Sequence, residues 1–178
     1  IGDDYIAKAF EFAHEADPRA ELYYNDYGLE NEPKRDGAIE LVKRLQAEGV
    51  TITGVGIQGH YQLDTPSIET VDQTISAFAK LGVKVMITEL DINVLPSPKQ
   101  LQGADVSLRF RSQAGLNPYP NGLPEAVQQQ LAQRYADLFA VFLKHRDSIS
   151  RVTIWGVTDG DSWLNDWPIP GRTNHPLL

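Results

Sequence analysis

Hydrophobic and polar residues follow two different periods along this chain, and together they predict helices that alternate with strands. In some segments an apolar residue recurs every three or four positions, which is typical of a helix with one buried face. Shorter apolar runs bounded by glycine and polar residues indicate strands. The predicted helices cover residues 4–16, 36–48, 66–81 and 124–142, and the predicted strands cover residues 21–26, 51–58, 83–89 and 151–157. Thr65 is the predicted cap of the third helix, with Pro66 at its first position.

Alternation of this kind favours a parallel sheet, because each helix carries the chain back to start the next strand. Four strands with their helices amount to half of a (β/α)8 barrel, which has about 250 residues. An open, doubly wound sheet is the alternative. No glycine-rich phosphate-binding motif follows any predicted strand, which weakens a nucleotide-binding interpretation. The long segment 96–123 is predicted to be a functional or disordered loop.

The end of the third predicted strand carries two acids. Glu89 and Asp91 have the same parity as Val83, Val85 and Ile87, so the pattern predicts that all five side chains share one face. In a parallel barrel, catalytic groups gather at the carboxyl ends of the strands. A carboxylate held there could attack the anomeric carbon of a sugar. The alternative is that both acids are solvated residues at the end of a strand.

Polar or aromatic residues close all four predicted strands, which stability alone does not explain. Barrel enzymes concentrate such residues on this face, and rings among carboxylates suit sugars, which stack their C–H faces on aromatic side chains. The four strand ends are residues 25–27, 58–61, 89–91 and 155–163.

His60 precedes the two acids by one strand. An imidazole between two carboxylates would donate to Glu89 and be oriented by Asp91, and donation would keep Glu89 charged. The alternative is an isolated structural histidine. Tyr27, Trp155 and Trp163 are either packing residues or, as their positions favour, walls that contact substrate.

Composition narrows the possible partners. The net charge of −8 over 178 residues argues against nucleic acid and against an anionic membrane, whereas a neutral polymer would not be repelled. No stretch is apolar enough to span a membrane. The absence of cysteine excludes disulfides and cysteine-based metal sites, and no spacing of histidines and acids matches a metal-ligand set. We therefore expect no metal and no cofactor.

Four segments in order resemble glycoside hydrolase family 10, the endo-β-1,4-xylanases. They are residues 22–27, 54–60, 87–91 and 153–164. The resemblance extends over nearly the whole chain. It implies an α/β fold of the (β/α)8 barrel type, also called a TIM barrel, that hydrolyses xylan or xylo-oligosaccharides with retention of configuration.

The resemblance also implies roles for individual residues. Glu89 matches the nucleophile of the family, and His60 and Asp91 match the pair that holds and tunes it. The residues that match substrate-binding positions are Asn25 and Gln58, which line the site, Tyr27 on the leaving-group side, and Trp155 and Trp163 around the sugar at the cleavage point.

One departure from the family is large. The acid/base glutamate of the family lies in an Asn-Glu pair that closes the fourth strand, and the Asn-Glu pair of this chain, Asn31-Glu32, lies in a loop after the first predicted strand. Residues 1–178 are therefore predicted to form the C-terminal half of the barrel, strands five to eight, with an N-terminal half as partner. The resemblance further implies a secreted or periplasmic bacterial protein. A catalytically silent half barrel and a relative that cleaves cellulose-type glucan stay open as alternatives.

Overall fold

Strands and helices alternate along the chain in a computed structural model that describes residues 2, 4–98, 105, 107–111 and 115–177. In chain order the elements are α1 (Tyr5–Ala16), β1 (Tyr23–Asp26), α2 (Glu32–Ala47), β2 (Gly54–Ile57), β3 (His60–Gln62), α3 (Ile68–Ala79), β4 (Lys84–Asn93), α4 (Glu125–Lys144) and β5 (Ile149–Ile154). Two short 3-10 turns follow at Asp159–Asp161 and Trp163–Asn165.

The strands form one parallel sheet. β1 pairs with β2, β2 with β4, and β4 with β5, all in parallel. β3 continues the course of β2 and pairs with the end of β4, so that His60 lies opposite Asp91. The chain therefore supplies four barrel strands with their helices, which is half of a (β/α)8 barrel, as the sequence predicts.

The main core lies between the sheet and its helices. On β4, Val85 and Ile87 have no exposed surface, and they belong to the same packed cluster as Val42 of α2, Ile75 of α3 and Leu138 of α4. Burying an aliphatic side chain of this kind contributes about 1.5–3 kcal/mol. This packing fixes the height and direction of β4, whose far end carries the acids.

Two helices, α2 and α3, begin two or more residues away from their predicted starts. α2 begins at Glu32, because the side chain of Asn31 accepts a hydrogen bond from the Lys34 amide at 3.4 Å. The first turn of α2 contains no large apolar residue, so hydrophobic periodicity did not reveal it. Asn31 is therefore a helix cap, consistent with its exclusion as part of the acid/base pair.

The predicted cap of α3 at Thr65 is wrong. Ser67 caps this helix, with its Oγ accepting from the Thr70 amide at 3.1 Å. The preceding carbonyls belong to the loop: Thr65 O accepts from the Gln62 amide, and Pro66 O accepts from the Arg134 guanidinium. Pro66 therefore precedes the helix.

The predicted parity of β4 is also wrong, because the strand changes phase near its end. Thr88 and Glu89 are consecutive, yet both side chains hydrogen-bond Asn25. The register against β5 shifts between Ile87 and Leu90, which is the signature of a β-bulge. Before this point the odd-numbered residues face the helices, and after it the even-numbered ones do. Glu89 and Asp91 thus face away from the apolar stem of β4.

The predicted second strand, 51–58, contains β2, and Gly59 separates it from β3, a further strand that lies beyond the predicted one. Its φ of +84° lies in the left-handed region, where a side chain is strained. A Cβ atom at Gly59 would also lie 3.1 Å from Ile87 Cγ2. The backbone can therefore turn here only with glycine, and the turn positions His60 opposite Asp91.

In the described part of the long loop, residues 96–98, 105, 107–111 and 115–123, no helix or strand occurs. The remainder of that loop, 99–104, 106 and 112–114, lies outside the described residues.

Candidate active site

Glu89 lies at the centre of a hydrogen-bonded group at the carboxyl ends of the strands. Its Oε1 accepts from Asn25 Nδ2 at 3.3 Å, and its Oε2 lies 3.1 Å from His60 Nε2. The side chain is 17 % exposed, so one face stays open to the cleft. Asn25 is itself held by Thr88, whose Oγ1 donates to Asn25 Oδ1 at 2.7 Å.

Asp91 is the buried member of the group. Its side chain is 1 % exposed, with Oδ1 at 2.9 Å from His60 Nδ1 and Oδ2 accepting from Trp163 Nε1 at 2.7 Å. Burying an ionised carboxylate is costly unless donors compensate it. Here each oxygen has a donor, so the charge of Asp91 is held in a fixed place.

His60 bridges the two acids, and the predicted contact with both is confirmed. A neutral imidazole has one N–H, so it can donate to both carboxylates only when it is protonated. Burial by itself lowers the pKa of His60, but the hydrogen bonds and charges of Asp91 and Glu89 outweigh it, and the net pKa is raised above its ordinary value. The raised pKa favours the protonated ring, in which one N–H can donate to Glu89 and the other to Asp91. A catalytic role for His60 stays a prediction.

Indole rings surround this group. The Trp163 ring meets the edge of His60 at 5.1 Å and 63°, and it stacks on Trp167 at 5.0 Å. Trp155 follows β5 and lies 6.3 Å from His60 at 77°, with 45 % of its surface exposed. Trp163 thus donates a hydrogen bond to Asp91 as well as forming a wall of the site. The hydrophobic pattern alone does not reveal this hydrogen bond. Trp155 presents an open ring that a sugar could stack on.

Gln58 contributes its backbone to the site. Its carbonyl accepts from the Glu89 amide at 2.8 Å, and its amide donates to Asp26 O at 3.1 Å. The Gln58 side chain is half-buried beside these strand ends. This pair of backbone bonds links the ends of β1, β2 and β4, so the strand end that carries Glu89 cannot move alone.

Tyr27 lies apart from the Glu89 group. Lys34 Nζ sits 3.4 Å from the centre of its ring and donates to Tyr27 O at 2.6 Å and to Asp26 Oδ1 at 2.9 Å. Among the described residues Tyr27 makes no hydrogen bond or ring contact with Glu89, His60 or Asp91. It is 43 % exposed and oriented by Lys34, a residue that the sequence analysis did not single out.

Neither a metal cluster nor a membrane-spanning helix occurs in the described part of the chain. Within residues 4–98, 105, 107–111 and 115–177, no cluster of three or more histidines and acids could hold a metal ion. Within the same residues, no helix combines the length and hydrophobicity needed to cross a membrane.

Comparison with known proteins identifies one family. The family model described as glycosyl hydrolase family 10 matches residues 1–178. The chain is 50 % identical to endo-1,4-beta-xylanase A of Xylanibacter ruminicola over 178 residues, which are 100 % of this chain and 48 % of that protein. It is 40 % identical to the endo-1,4-beta-xylanase of Geobacillus stearothermophilus, again over 100 % of this chain and 49 % of the relative. The chain spans about half the length of the curated relatives it matches.

Solved structures give the same result. A family 10 endoxylanase retrieved from a sugarcane soil metagenome superposes with a TM-score of 0.95 at 51 % identity, covering 99 % of this chain and 51 % of that one. The endo-1,4-beta-xylanase of Caldicellulosiruptor owensensis gives 0.83 at 34 % identity, covering 100 % and 50 %. The half barrel described above is therefore a fold that occurs within longer chains.

Proposed function

Because the chain belongs to glycosyl hydrolase family 10, we propose that it supplies the C-terminal half of the barrel of an endo-1,4-β-xylanase. The enzyme would hydrolyse internal β-1,4-xylosidic bonds of xylan. The relatives named endo-1,4-beta-xylanase support this activity. The single observation that carries the proposal is the position of Glu89, a strand-end carboxylate held on one oxygen by Asn25 and on the other by His60.

Glu89 is the proposed nucleophile. In a retaining mechanism one Glu89 oxygen forms a bond to the anomeric carbon while the bond from that carbon to the leaving oxygen breaks and the general acid protonates that oxygen. Water then gives a proton back to the same acid/base group, attacks the anomeric carbon from the face opposite Glu89, and so breaks the bond to Glu89. His60 and Asp91 are the proposed pair that holds and tunes Glu89, since His60 hydrogen-bonds Glu89 through one ring nitrogen and Asp91 through the other.

The proposed substrate contacts follow from the exposure of the surrounding side chains. Trp155 and Trp163 would enclose the sugar at the cleavage point, because their rings lie within 6.3 Å of His60. Asn25 and Gln58 would line the same site. Tyr27 would contact the sugar on the leaving-group side through the exposed part of its ring, while Lys34 Nζ lies against one face and orients it.

The general acid is proposed to come from the N-terminal half of the same barrel, and the two halves together are called the assembled barrel. A retaining enzyme needs a second carboxyl group about 5–5.5 Å from the nucleophile. Glu32 begins an exposed helix, and Asp26 is engaged by Tyr24 Oη and Lys34 Nζ. These engagements favour an acid supplied by the strands of the N-terminal half.

A fluoro-sugar inactivator tests the nucleophile directly. Treating the assembled barrel with a 2-fluoro-xylobioside should leave a covalent sugar on Glu89, as located to the residue by tandem mass spectrometry. Asp91 is the internal control, because its burial predicts no label. A label on another carboxylate, or an inverted anomeric product by NMR, would contradict the proposed mechanism.

Complementation tests the need for the second half. The purified 178-residue chain should not cleave xylan, since the general acid contributes roughly 10²–10⁴ in rate and half the site is absent. Adding the N-terminal half should restore cleavage, with a Glu89→Ala chain as the matched control. Robust turnover by the isolated chain, with no partner detected by mass spectrometry, would show that an acid within this chain suffices.

Two further proposals concern selectivity and location. A relative from Thermoclostridium stercorarium, 38 % identical, is named a thermostable celloxylanase, which supports cellulose-type β-1,4-glucan as a second candidate substrate. Parallel assays on xylan and on a soluble glucan would decide between the two. The complete Glu89 network disfavours a silent half barrel. Because the polymer is too large to enter a cell intact, we propose a secreted or periplasmic location, to be tested by cell fractionation.

A further inference from the structure

A second cleft opens beyond the ends of β3 and β4, on the side covered by α4. Its volume is about 600 Å³, within the range of sites that bind small ligands. We propose that this cleft is an accessory site that binds one neutral sugar residue of the polymer, separate from the centre at Glu89. The polymer's identity as xylan rests on the proposed function, whereas the ligand class rests on the cleft itself.

The walls of the cleft carry planar polar side chains. Amide and carboxylate groups present donors and acceptors in fixed pairs, which suits the adjacent hydroxyls of a sugar ring. Tyr119 adds an aromatic surface for the C–H face. The amide and carboxylate side chains in the lining are those of Gln62, Asp64, Asn93, Gln130, Gln133 and Asp137.

Arg134 gives the cleft a fixed charged group in its wall. Its side chain is only 6 % exposed, and it is held from below by Pro66 O, which accepts from Nη2 at 2.5 Å. The guanidinium also lies 5.9 Å from the centre of the Tyr61 ring. Among the residues that the structure describes, no hydrogen-bond partner reaches its buried Nε, a rare condition for a buried donor. A fixed, incompletely satisfied cation therefore lies in the wall of the cleft.

The charges of the cleft favour a neutral ligand over an anion. Burial lowers the pKa of Arg134, and Asp137 and Asp64 oppose that shift through their negative charges. Both acids line the cleft with Arg134, so two negative groups surround one positive group. A phosphate or uronate would be repelled by the excess acid, whereas sugar hydroxyls could bond to both signs of charge.

The cleft lies close to the Glu89 centre. Gln62 and Asn93, which pair across β3 and β4, border both the cleft and a small cavity of about 130 Å³ beside His60 and Asp91. Each lies two residues beyond its catalytic neighbour, about 6.6 Å along the strand. A polymer held in the cleft would therefore raise the effective concentration of its own chain at the centre.

The test compares two neighbouring glutamines on α4 in the assembled barrel. Gln130 lines the cleft, whereas Gln129 bonds Glu125 on the same helix and does not. Binding to soluble xylan is measured by affinity electrophoresis with Glu89→Ala as background, which prevents hydrolysis. Gln130→Ala should weaken binding about 3- to 10-fold, and Gln129→Ala should leave it unchanged.

Activity and ligand class are measured separately. With Glu89 intact, Gln130→Ala should hydrolyse a short chromogenic xylobioside at the wild-type rate. Equal xylan binding by the Gln130→Ala and Gln129→Ala variants would overturn the accessory site. The proposal would also be overturned if Gln130→Ala weakened binding only to polygalacturonate, an anionic polymer. If the wild-type barrel cleaves no xylobioside, the proposed function fails. The accessory site would then still be supported by a Gln130-dependent loss of binding to xylan or to a neutral glucan.

Discussion

The two halves of β4 differ in almost every respect although they are one continuous strand. In the stem, residues 84–87, the side chains of Val85 and Ile87 are buried among the helices. In the end, residues 88–93, Glu89 and Asp91 face the other way and exchange hydrogen bonds with three neighbouring elements. The stem is held by packing and the end by polar contacts.

The difference teaches how one strand can serve stability and chemistry without conflict. A change of volume in the stem lowers the free energy of unfolding, because its neighbours are close-packed. The end tolerates no loss of a partner, because Asp91 would remain buried with an unmatched charge. Substitutions in the two parts should therefore have separable effects on unfolding and on hydrolysis.

The largest effect should come from removing Glu89. In the assembled barrel, Glu89→Ala should lower kcat for xylan on the order of 10⁴-fold or more, because the covalent route is lost. The midpoint of urea unfolding should change little, since Glu89 is partly open to solvent. If Glu89→Ala retained more than a tenth of the activity, Glu89 would not be the nucleophile. The end of β4 would then not differ from the stem in its effect on hydrolysis.

The second largest effect should come from the stem, where a substitution should lower stability and leave hydrolysis nearly unchanged. Ile87→Ala should reduce the free energy of unfolding by about 2–5 kcal/mol, because it leaves a cavity between β4 and the helices. Ile87→Val is the matched control, with an expected loss of about 0.5–1.5 kcal/mol. Below the unfolding range, kcat should stay within a few-fold of the wild type. A large fall in kcat without loss of stability would mean that stem and end are coupled.

A smaller effect should follow from Trp163→Phe. This change keeps an aromatic ring but removes the donor that reaches Asp91 Oδ2. An acceptor left unsatisfied in a buried place costs about 1–3 kcal/mol. Urea unfolding measures that loss, and Trp155→Phe, which keeps a ring without removing a donor from Asp91, provides the comparison. Equal stabilities of the two variants would argue that water replaces the indole N–H.

The smallest and most specific effect concerns pH. The folded pKa of His60 is raised, so its contribution to stability is fully present below the unfolded value of about 6.5 and is lost as pH rises through the folded value. The difference in unfolding free energy between wild type and His60→Gln should therefore shrink from pH 6 to pH 9. Parallel pH curves for the two proteins would contradict a raised pKa.

The hydrophobic periodicity, together with the glycines and prolines between the periodic segments, was sufficient to predict the alternation of strands and helices. Glycines and prolines marked most boundaries, and the polar residues that close four successive strands indicated the face on which the site lies. The pairing of His60 with Glu89 and Asp91 was predictable because parallel strands of equal height bring their ends together. Motif resemblance added the family, which the comparisons confirm.

The remainder depended on interactions that a linear pattern does not encode. The alternation of residues up to Glu89 suggested that Glu89 faces the same side as Val85 and Ile87. The bulge after Ile87 reverses the side that the odd-numbered residues face, and the shift appears in the pairing of β4 with β5. The bond from Trp163 to Asp91 joins residues 72 positions apart. Lys34 under Tyr27 and the cap at Ser67 depend on local side-chain geometry, where several polar residues compete for one position.

The bulge in β4 also determines where related barrels can be recombined. A crossover between two parents that falls within residues 88–90 could join strands in different phase, and every acid beyond it would then turn toward the helices. Crossovers placed before Lys84 or after Asn93 would transfer the phase change intact, together with the residues that depend on it. Chimeras built on those boundaries should therefore keep a functional arrangement of carboxylates even when their helices come from different parents.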